Sequence, residues 1–253
     1  MILVLGDIHG NYSYLKSEIE GKNLRGYNII QVGDFGVGKL PSHDQGILER
    51  LDLFLNEWDV NLYVVRGNHD DPKYFQGGHI FNNLKLLPDY TTLKIEDYNF
   101  LFVGGATSID RKNSLRKMQV SAGYGLDQPL YWFGEEFILD EDKIKKVENI
   151  DIVITHTAPE WCIPDNRFGF SDLVMEFAQD DPSLIEDLKR ERALLSKMFD
   201  ILNSKNNIKK HFYGHFHRSD ITLNGMTIHH LLAIGEFMCV DDYTENDYEK
   251  IFI

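Results

Sequence analysis

The chain has 253 residues, 43% of them hydrophobic, and its 26 Lys plus Arg stand against 40 Asp plus Glu for a net charge of -14. That length suits one large domain or two small ones, and the acidic excess argues against non-specific attraction to nucleic acid or anionic membrane. Two cysteines, Cys162 and Cys239, are too few for a disulfide framework. No apolar run approaches a membrane span, and Met1-Ile2-Leu3-Val4-Leu5-Gly6-Asp7 lacks the basic region of a signal peptide. A soluble protein in a reducing, cytoplasmic setting is expected.

In chain order, residues 2–5 read as an apolar strand that stops at Gly6-Asp7-Ile8-His9-Gly10, after which Asn11 can cap a helix over about 12–20. A second strand, 27–32, ends at Gly33-Asp34-Phe35-Gly36. A helix over about 44–57 carries Ile47, Leu48, Leu51, Phe54 and Leu55 on one face. A third strand, 61–65, runs into Arg66-Gly67-Asn68-His69-Asp70. Strands alternating with helices predict an α/β first half, with ligands where such sheets place their sites.

From about residue 84 the pattern changes. Strands 91–95 and 99–103 flank Glu96-Asp97-Tyr98 as a hairpin, 106–134 reads as loop with short helical pieces, and a helix is expected over about 140–148. Strand 151–155 leads into His156, and a long aromatic loop, 157–170, follows. Residues 171–203 are expected to be helical, with Ser183-Leu184-Ile185-Glu186 as a capping box. The stripe Leu188, Leu195, Leu202 there would pack on the body or on a second subunit, so a homo-oligomer is one expectation. Strand 208–213 ends at Gly214-His215-Phe216-His217, Asn224-Gly225 turns a hairpin of 220–223 with 226–232, and a final pair is expected at 236–240 and 249–253. With no repeat and no flexible linker, 1–253 reads as a single domain with a loop-plus-helical insertion at about 157–203.

Collected from the strand ends, Asp7, His9, Asp34, Asn68, His156, His215 and His217 offer two carboxylates, one amide and four imidazoles. This mixture suits Mn, Fe or Zn better than Mg or Ca. Asp7-x-His9 and His215-x-His217 point both side chains one way in extended backbone. Seven ligands are more than one ion uses, so two divalent ions sharing a bridge, most economically a carboxylate, are expected. Two such ions outweigh two carboxylates and a hydroxide, giving a site that attracts phosphate despite the acidic chain.

The blocks Gly-Asp-Ile-His-Gly, Gly-Asp, Gly-Asn-His-Asp, the strand-end His156 and Gly-His-Phe-His, over residues 6 to 217, resemble those of the calcineurin-like metallophosphoesterase superfamily. The resemblance implies a four-layer α-β-β-α sandwich with two mixed β-sheets and a di-metal site at the strand ends. It assigns Asp7, His9, Asp34 and His217 to one metal, and Asp34, Asn68, His156 and His215 to the other, with Asp34 bridging. It gives His69 the leaving oxygen, held by Asp70. The second block lacks the further Asp and Arg of the Ser/Thr protein phosphatase branch, which argues against that branch.

Arg66 is expected as a phosphate clamp beside a ligand, since a guanidinium fork matches phosphate oxygens; Arg111, Arg167 and Arg218 are further candidates. Trp132 and Trp161 read as core or loop anchors before base-stacking residues. The reaction implied is hydrolysis of a phosphate ester by a metal-activated hydroxide, as phosphomonoesterase or phosphodiesterase, on a nucleotide or another small or short substrate. Mn is the first-choice ion, with Fe or Zn as alternatives. No long nucleic acid and no membrane partner are expected, because no Lys/Arg stripe is present. The loop 157–170, including Trp161 and Phe168, is expected to wall the substrate pocket. The alternative is a catalytically idle scaffold of this fold that binds a protein partner.

Overall fold

Short apolar strands carry the architecture. The structure, a computed structural model, describes residues 1–39, 41–77, 81–126, 129–164 and 169–242. Strands β1 (Ile2–Leu5), β2 (Asn28–Gln31), β3 (Asn61–Val64) and β4 (Leu84–Leu86) run parallel, with α1 (Tyr12–Gly21) and α2 (Pro41–Glu57) as crossovers. The second sheet begins with the antiparallel hairpin β5 (Thr91–Ile95) and β6 (Tyr98–Val103). It continues with parallel β7 (Ile152–Thr155), β8 (Lys210–Tyr213) and β10 (Thr227–Leu231), and ends with antiparallel β9 (Asp220–Asn224). An antiparallel strand, β11 (Phe237–Cys239), edges the first sheet on β1. The orders are β11-β1-β2-β3-β4 and β5-β6-β7-β8-β10-β9.

The strand period of two sorts the core into layers. Ile2, Val4, Ile30 and Val32 meet Phe100, Phe102, Ile152, Ile154 and Phe212 between the sheets. On the outer face of the first sheet, Leu5, Ile29, Leu62 and Val64 pack with Leu15, Ile19, Leu48, Leu51 and Leu55 of α1 and α2. On the outer face of the second, Leu101, Val103 and Val153 pack with Ile144 of α4 (Glu141–Ile144) and with Leu195, Met198, Phe199 and Leu202 of α6 (Leu184–Asn203). Three cores between four layers make the α-β-β-α sandwich. The stripe of α6 therefore lies on the body.

Several expectations change. The stretch read as loop contains α3 (Arg111–Gly123), whose buried residues are limited to Ser114, so it offered no apolar period to detect. Instead Arg111 reaches Asp181 and Asp187, and Arg116 reaches Asp180. The helix expected over 140–148 is the single turn of α4. The Ser183 hydroxyl makes no capping bond to α6; it is taken up by Arg111 Nη2 and the Asp187 carboxylate, both at 3.0 Å. Strand β4 was not expected. Its entry is held by Asp52 of α2, whose carboxylate accepts from the N–H groups of Asn82, Asn83 and Leu84. Strand 249–253, Arg167 and Phe168 lie outside the described residues.

A buried polar chain crosses the second sheet. His211 and His229 are register partners on β8 and β10, and with Cys162 they form a group of metal-ligand type. Their lone pairs are already in use. Trp161 Nε1 donates to His229 Nε2 at 3.3 Å, leaving the proton on His229 Nδ1. That nitrogen meets His211 Nδ1 at 2.9 Å, and His211 Nε2 meets Thr155 Oγ1 at 2.7 Å. Thr155 Oγ1 passes its own proton to the Thr157 carbonyl. Burial pushes the Cys162 thiol up and keeps it protonated, whereas metal binding needs a thiolate and free imidazole lone pairs. This group is a hydrogen-bonded core that ties Trp161 and the start of the 157–164 loop to the sheet.

Burial lowers the pKa of His229 to about 3 and that of His211 well below its ordinary 6.5. A histidine kept neutral in the fold but able to bind a proton when unfolded contributes stability above its unfolded pKa and loses it as pH falls. Stability against urea should therefore fall from pH 6.5 downwards, by about 1.4 kcal/mol per pH unit for each such histidine. His229→Gln should flatten that slope; an unchanged slope contradicts the neutral chain.

Candidate metal centre

The two sheets bring their carboxyl-terminal strand ends to one place. Asp7 and His9 follow β1, Asp34 follows β2, Asn68 follows β3, His156 follows β7, and His215 and His217 follow β8. After each strand the chain must turn sharply while aiming a polar side chain inward. His9, Asp34, His215 and His217 all take left-handed backbone, with φ of 49°, 55°, 68° and 53°. Asp and His tolerate that region better than most residues, and such residues cluster at functional sites. Two glycines make the approach feasible. A Cβ at Gly33, φ 106°, would collide with the His156 ring, and one at Gly214 would collide with the Asp7 carboxylate.

Two groups of ligand atoms result, each with its atoms within 4.8 Å of one another: Asp7, His9, Asp34 and His217, and Asp34, His156 and His215. Asn68 joins the second through Oδ1, 3.0 Å from His156 Nε2. Asp34 belongs to both groups. Its Oδ1 is 3.3 Å from His156 Nε2, and its Oδ2 is 3.8 Å from His9 Nδ1.

The donor set fits divalent ions. His9 Nε2 and His217 Nε2 face each other at 3.0 Å, a placement two imidazoles adopt readily around a cation. Asp7 Oδ1 is buried with no hydrogen-bond partner among the described residues. Burial alone would raise the Asp34 pKa, but His156, then His69 and His9, hold it below the usual carboxylate range. Burial alone would lower the His156 pKa, and Asp34 carries it up to about 9. Burial also lowers the His9 and His215 pKa values, while the hydrogen bond to Asp7 raises that of His217. A centre that stabilises a protonated imidazole among buried carboxylates has the field a metal cation needs.

Supporting contacts orient the ligands. His156 Nδ1 donates to the Val32 carbonyl at 2.8 Å, which turns Nε2 toward the centre. Asn68 Nδ2 donates to Ser108 Oγ at 2.9 Å, turning Oδ1 inward. Ser108 donates on to Glu135, by Oγ at 2.8 Å and by its N–H at 2.7 Å. Burial raises the Glu135 pKa to about 9. Lys39 Nζ reaches the His9 carbonyl at 3.3 Å, putting a cation beside the centre. Ser108, Glu135 and Lys39 escaped the sequence reading. Ser108 lies 40 residues from Asn68, and nothing local in the sequence marks that pairing.

Four residues take other roles than expected. The Asp70 carboxylate does not hold His69. It accepts from the N–H groups of Phe35, Gly36, Val37 and Gly67 at 2.5 to 3.1 Å, and so clamps the Asp34 and Asn68 turns together. Arg66, 5% exposed, has no donor left for a phosphate among the described residues. Its Nε and Nη2 bind Asp89, and its remaining donors meet the carbonyls of Gly134, Glu135 and Glu136. A guanidinium with every donor committed inside the fold is structural. Arg111 is likewise committed to Asp181 and Asp187, and exposed Arg218 pairs with Asp220. His69 is half-buried, its N–H held by Asp34 Oδ1 at 2.8 Å and its ring 5.6 Å from that of His9. Trp132 packs over Gly38 and Trp161 anchors its loop.

Comparisons place this arrangement. No curated protein matches the chain in sequence. Among solved structures, a dimetal phosphatase from Danio rerio aligns over 92% of this chain and 87% of its own, with a TM-score of 0.53 and 11% identity, a likeness of fold alone. GAP50, the anchor in the inner membrane complex of Plasmodium, aligns over 92% and 70% at 16% identity with a TM-score of 0.39, too low to carry an argument. The same holds for a predicted phosphoesterase from Streptococcus pneumoniae, at 92% and 71%, 13% identity and 0.33. The family description "calcineurin-like phosphoesterase" matches residues 1–219. With that match over most of its length, the chain belongs to the calcineurin-like phosphoesterase family of metal-dependent hydrolases.

Proposed function

We propose that this member works with two divalent ions and hydrolyses small phosphoesters, a nucleotide or another short substrate, as phosphomonoesterase or phosphodiesterase. The observation that carries the reading is Asp34, buried and common to both ligand groups. The mixed imidazole, carboxylate and amide donors suit Mn first, then Fe or Zn. Such ions, when bound, supply Lewis acidity at the phosphoryl oxygens and a lowered pKa for water.

The chain's own residues do the rest. Asp7, His9, Asp34 and His217 hold one ion, and Asp34, Asn68, His156 and His215 the other. His69 stands at the centre with its imidazole unengaged by hydrogen bonds among the described residues, in place to protonate the leaving oxygen. Asp70 acts through the backbone as a positioning residue. The net charge of -14 supports small substrates over long nucleic acid. Both cysteines are free, which suits a reducing cytoplasm, and no helix among the described residues is long and apolar enough to cross a membrane. Within an insertion at about 157–203 on one domain, the described residues 157–164 and 169–203 wall the substrate pocket.

The experiment is a phosphoester panel with added Mn, scoring p-nitrophenyl phosphate against bis-p-nitrophenyl phosphate. Metal-dependent turnover is expected; none with Mn, Fe or Zn would favour a binding scaffold. Asp34→Asn should lose both ions by elemental analysis, and full occupancy would contradict the bridge. His69→Asn should lower kcat by about 10²–10⁴-fold with KM and metal content little changed. The loss should be smaller for the good leaving group p-nitrophenolate; undiminished turnover of alkyl phosphates would remove His69 from the reaction. Asp70→Asn should lower stability by about 1–3 kcal/mol, because a side-chain amide cannot accept four N–H groups. Unfolding midpoints in urea measure this, and a wild-type midpoint would contradict the clamp.

A further inference from the structure

A cavity of about 310 Å³ adjoins the metal centre, with His215 and Thr157 in its wall. Thr157 directly follows His156, so the cavity borders the second ligand group. Its other walls come from Ile109, Phe170, Val174, Leu188 and Phe216. Val174 belongs to α5 (Asp172–Asp180), a helix with no fully buried residue, which packs against α6. Two phenyl rings and three aliphatic side chains give an apolar, ring-accepting surface.

The charged side chains in this wall are engaged elsewhere. Arg192 donates to the carbonyls of Pro159, Cys162 and Pro164, and Arg218 pairs with Asp220 at 3.0 Å. Glu191, 5% exposed, accepts from Thr107 Oγ1 at 2.7 Å, and burial raises its pKa. The cavity therefore offers an occupant apolar contact and one carboxyl for a hydrogen bond. Among the described residues its cations are Arg192, committed to backbone carbonyls, and Arg218, paired with Asp220. Its volume lies at the lower end of small-molecule pockets, about 300–1,000 Å³, enough for one ring system and too little for an oligomer.

We propose that this cavity is the leaving-group subsite and takes an uncharged aromatic ring esterified to the phosphate at the metal centre. The proposal rests on the phosphoesterase reading above. In the reaction, water adds its oxygen to phosphorus, the bond from phosphorus to the aryl oxygen breaks, and that oxygen keeps the bonding electrons. It gains a proton, balancing the one water gives up, and the free aryl alcohol occupies the cavity until it leaves.

The test compares 1-naphthyl phosphate with glycerol 2-phosphate on Mn-loaded protein, in wild type and Val174→Trp. It adds binding of 1-naphthol to chelator-treated protein, followed by its fluorescence. Wild type should favour 1-naphthyl phosphate in kcat/KM by at least about tenfold. Val174→Trp, which fills the cavity, should collapse that ratio mainly through KM and should weaken 1-naphthol binding at least about tenfold. A circular-dichroism melt shows whether the variant is folded, and Val174→Phe serves in its place if it is not. A ratio near one in wild type, or a ratio and 1-naphthol affinity that the filled cavity leaves alone, overturns the proposal. Turnover of neither ester counts against the phosphoesterase reading, and 1-naphthol binding then decides the subsite by itself.

Discussion

The structure turns on one buried carboxylate. Asp34 is 1% exposed at the point where the two sheets converge. Its backbone carbonyl accepts the N–H groups of Ile8 and His9, and its side chain accepts that of His69. Three of the turns that carry ligands are thus registered on a single residue. An unpaired charge this deep costs several kcal/mol, about 3–5 when one member of a buried pair is removed. His156 offsets that cost when protonated, and a divalent cation would do so more fully. The same carboxylate thereby organises the backbone and shapes the electrostatics of the centre.

The surrounding fold holds residues in conformations they would not choose. Four candidate ligands sit at positive φ, at about 1–3 kcal/mol each for strained non-glycine backbone. Three apolar cores provide the offset. Because the inner core joins β1 and β2 to β6, β7 and β8, loops from both sheets reach the centre as one rigid body. The Asp70 clamp and the His156 bond to Val32 then tie neighbouring turns to one another. Histidine orientation is fixed before any ion arrives, which limits the reorganisation binding requires.

Much of this was legible in the chain because the candidate ligands cluster just after apolar strands, at four of the five strand ends beginning with a glycine and at His156 without one. The strands alone predicted an α/β first half, and the sandwich with two sheets was what the family resemblance implied. What escaped depends on distant partners. Asp70 looked like a companion of His69 because the two are adjacent, yet four backbone N–H groups, three of them more than 30 residues away, claim its carboxylate. Arg66 looked like a phosphate clamp because it adjoins Asn68, yet Asp89 and the carbonyls near residue 135 take its donors. Helix α3 was missed because it is held by ion pairs rather than an apolar face. Strand β4 is only three residues long, and its entry depends on Asp52.

The central claim is that two ions share Asp34. Anomalous diffraction from crystals grown with Mn measures it directly. The account predicts two peaks flanking the Asp34 carboxylate, one beside Asp7, His9 and His217 and the other beside Asn68, His156 and His215. A single peak at full occupancy under Mn excess, or two peaks with Asp34 bound to only one of them, would contradict it.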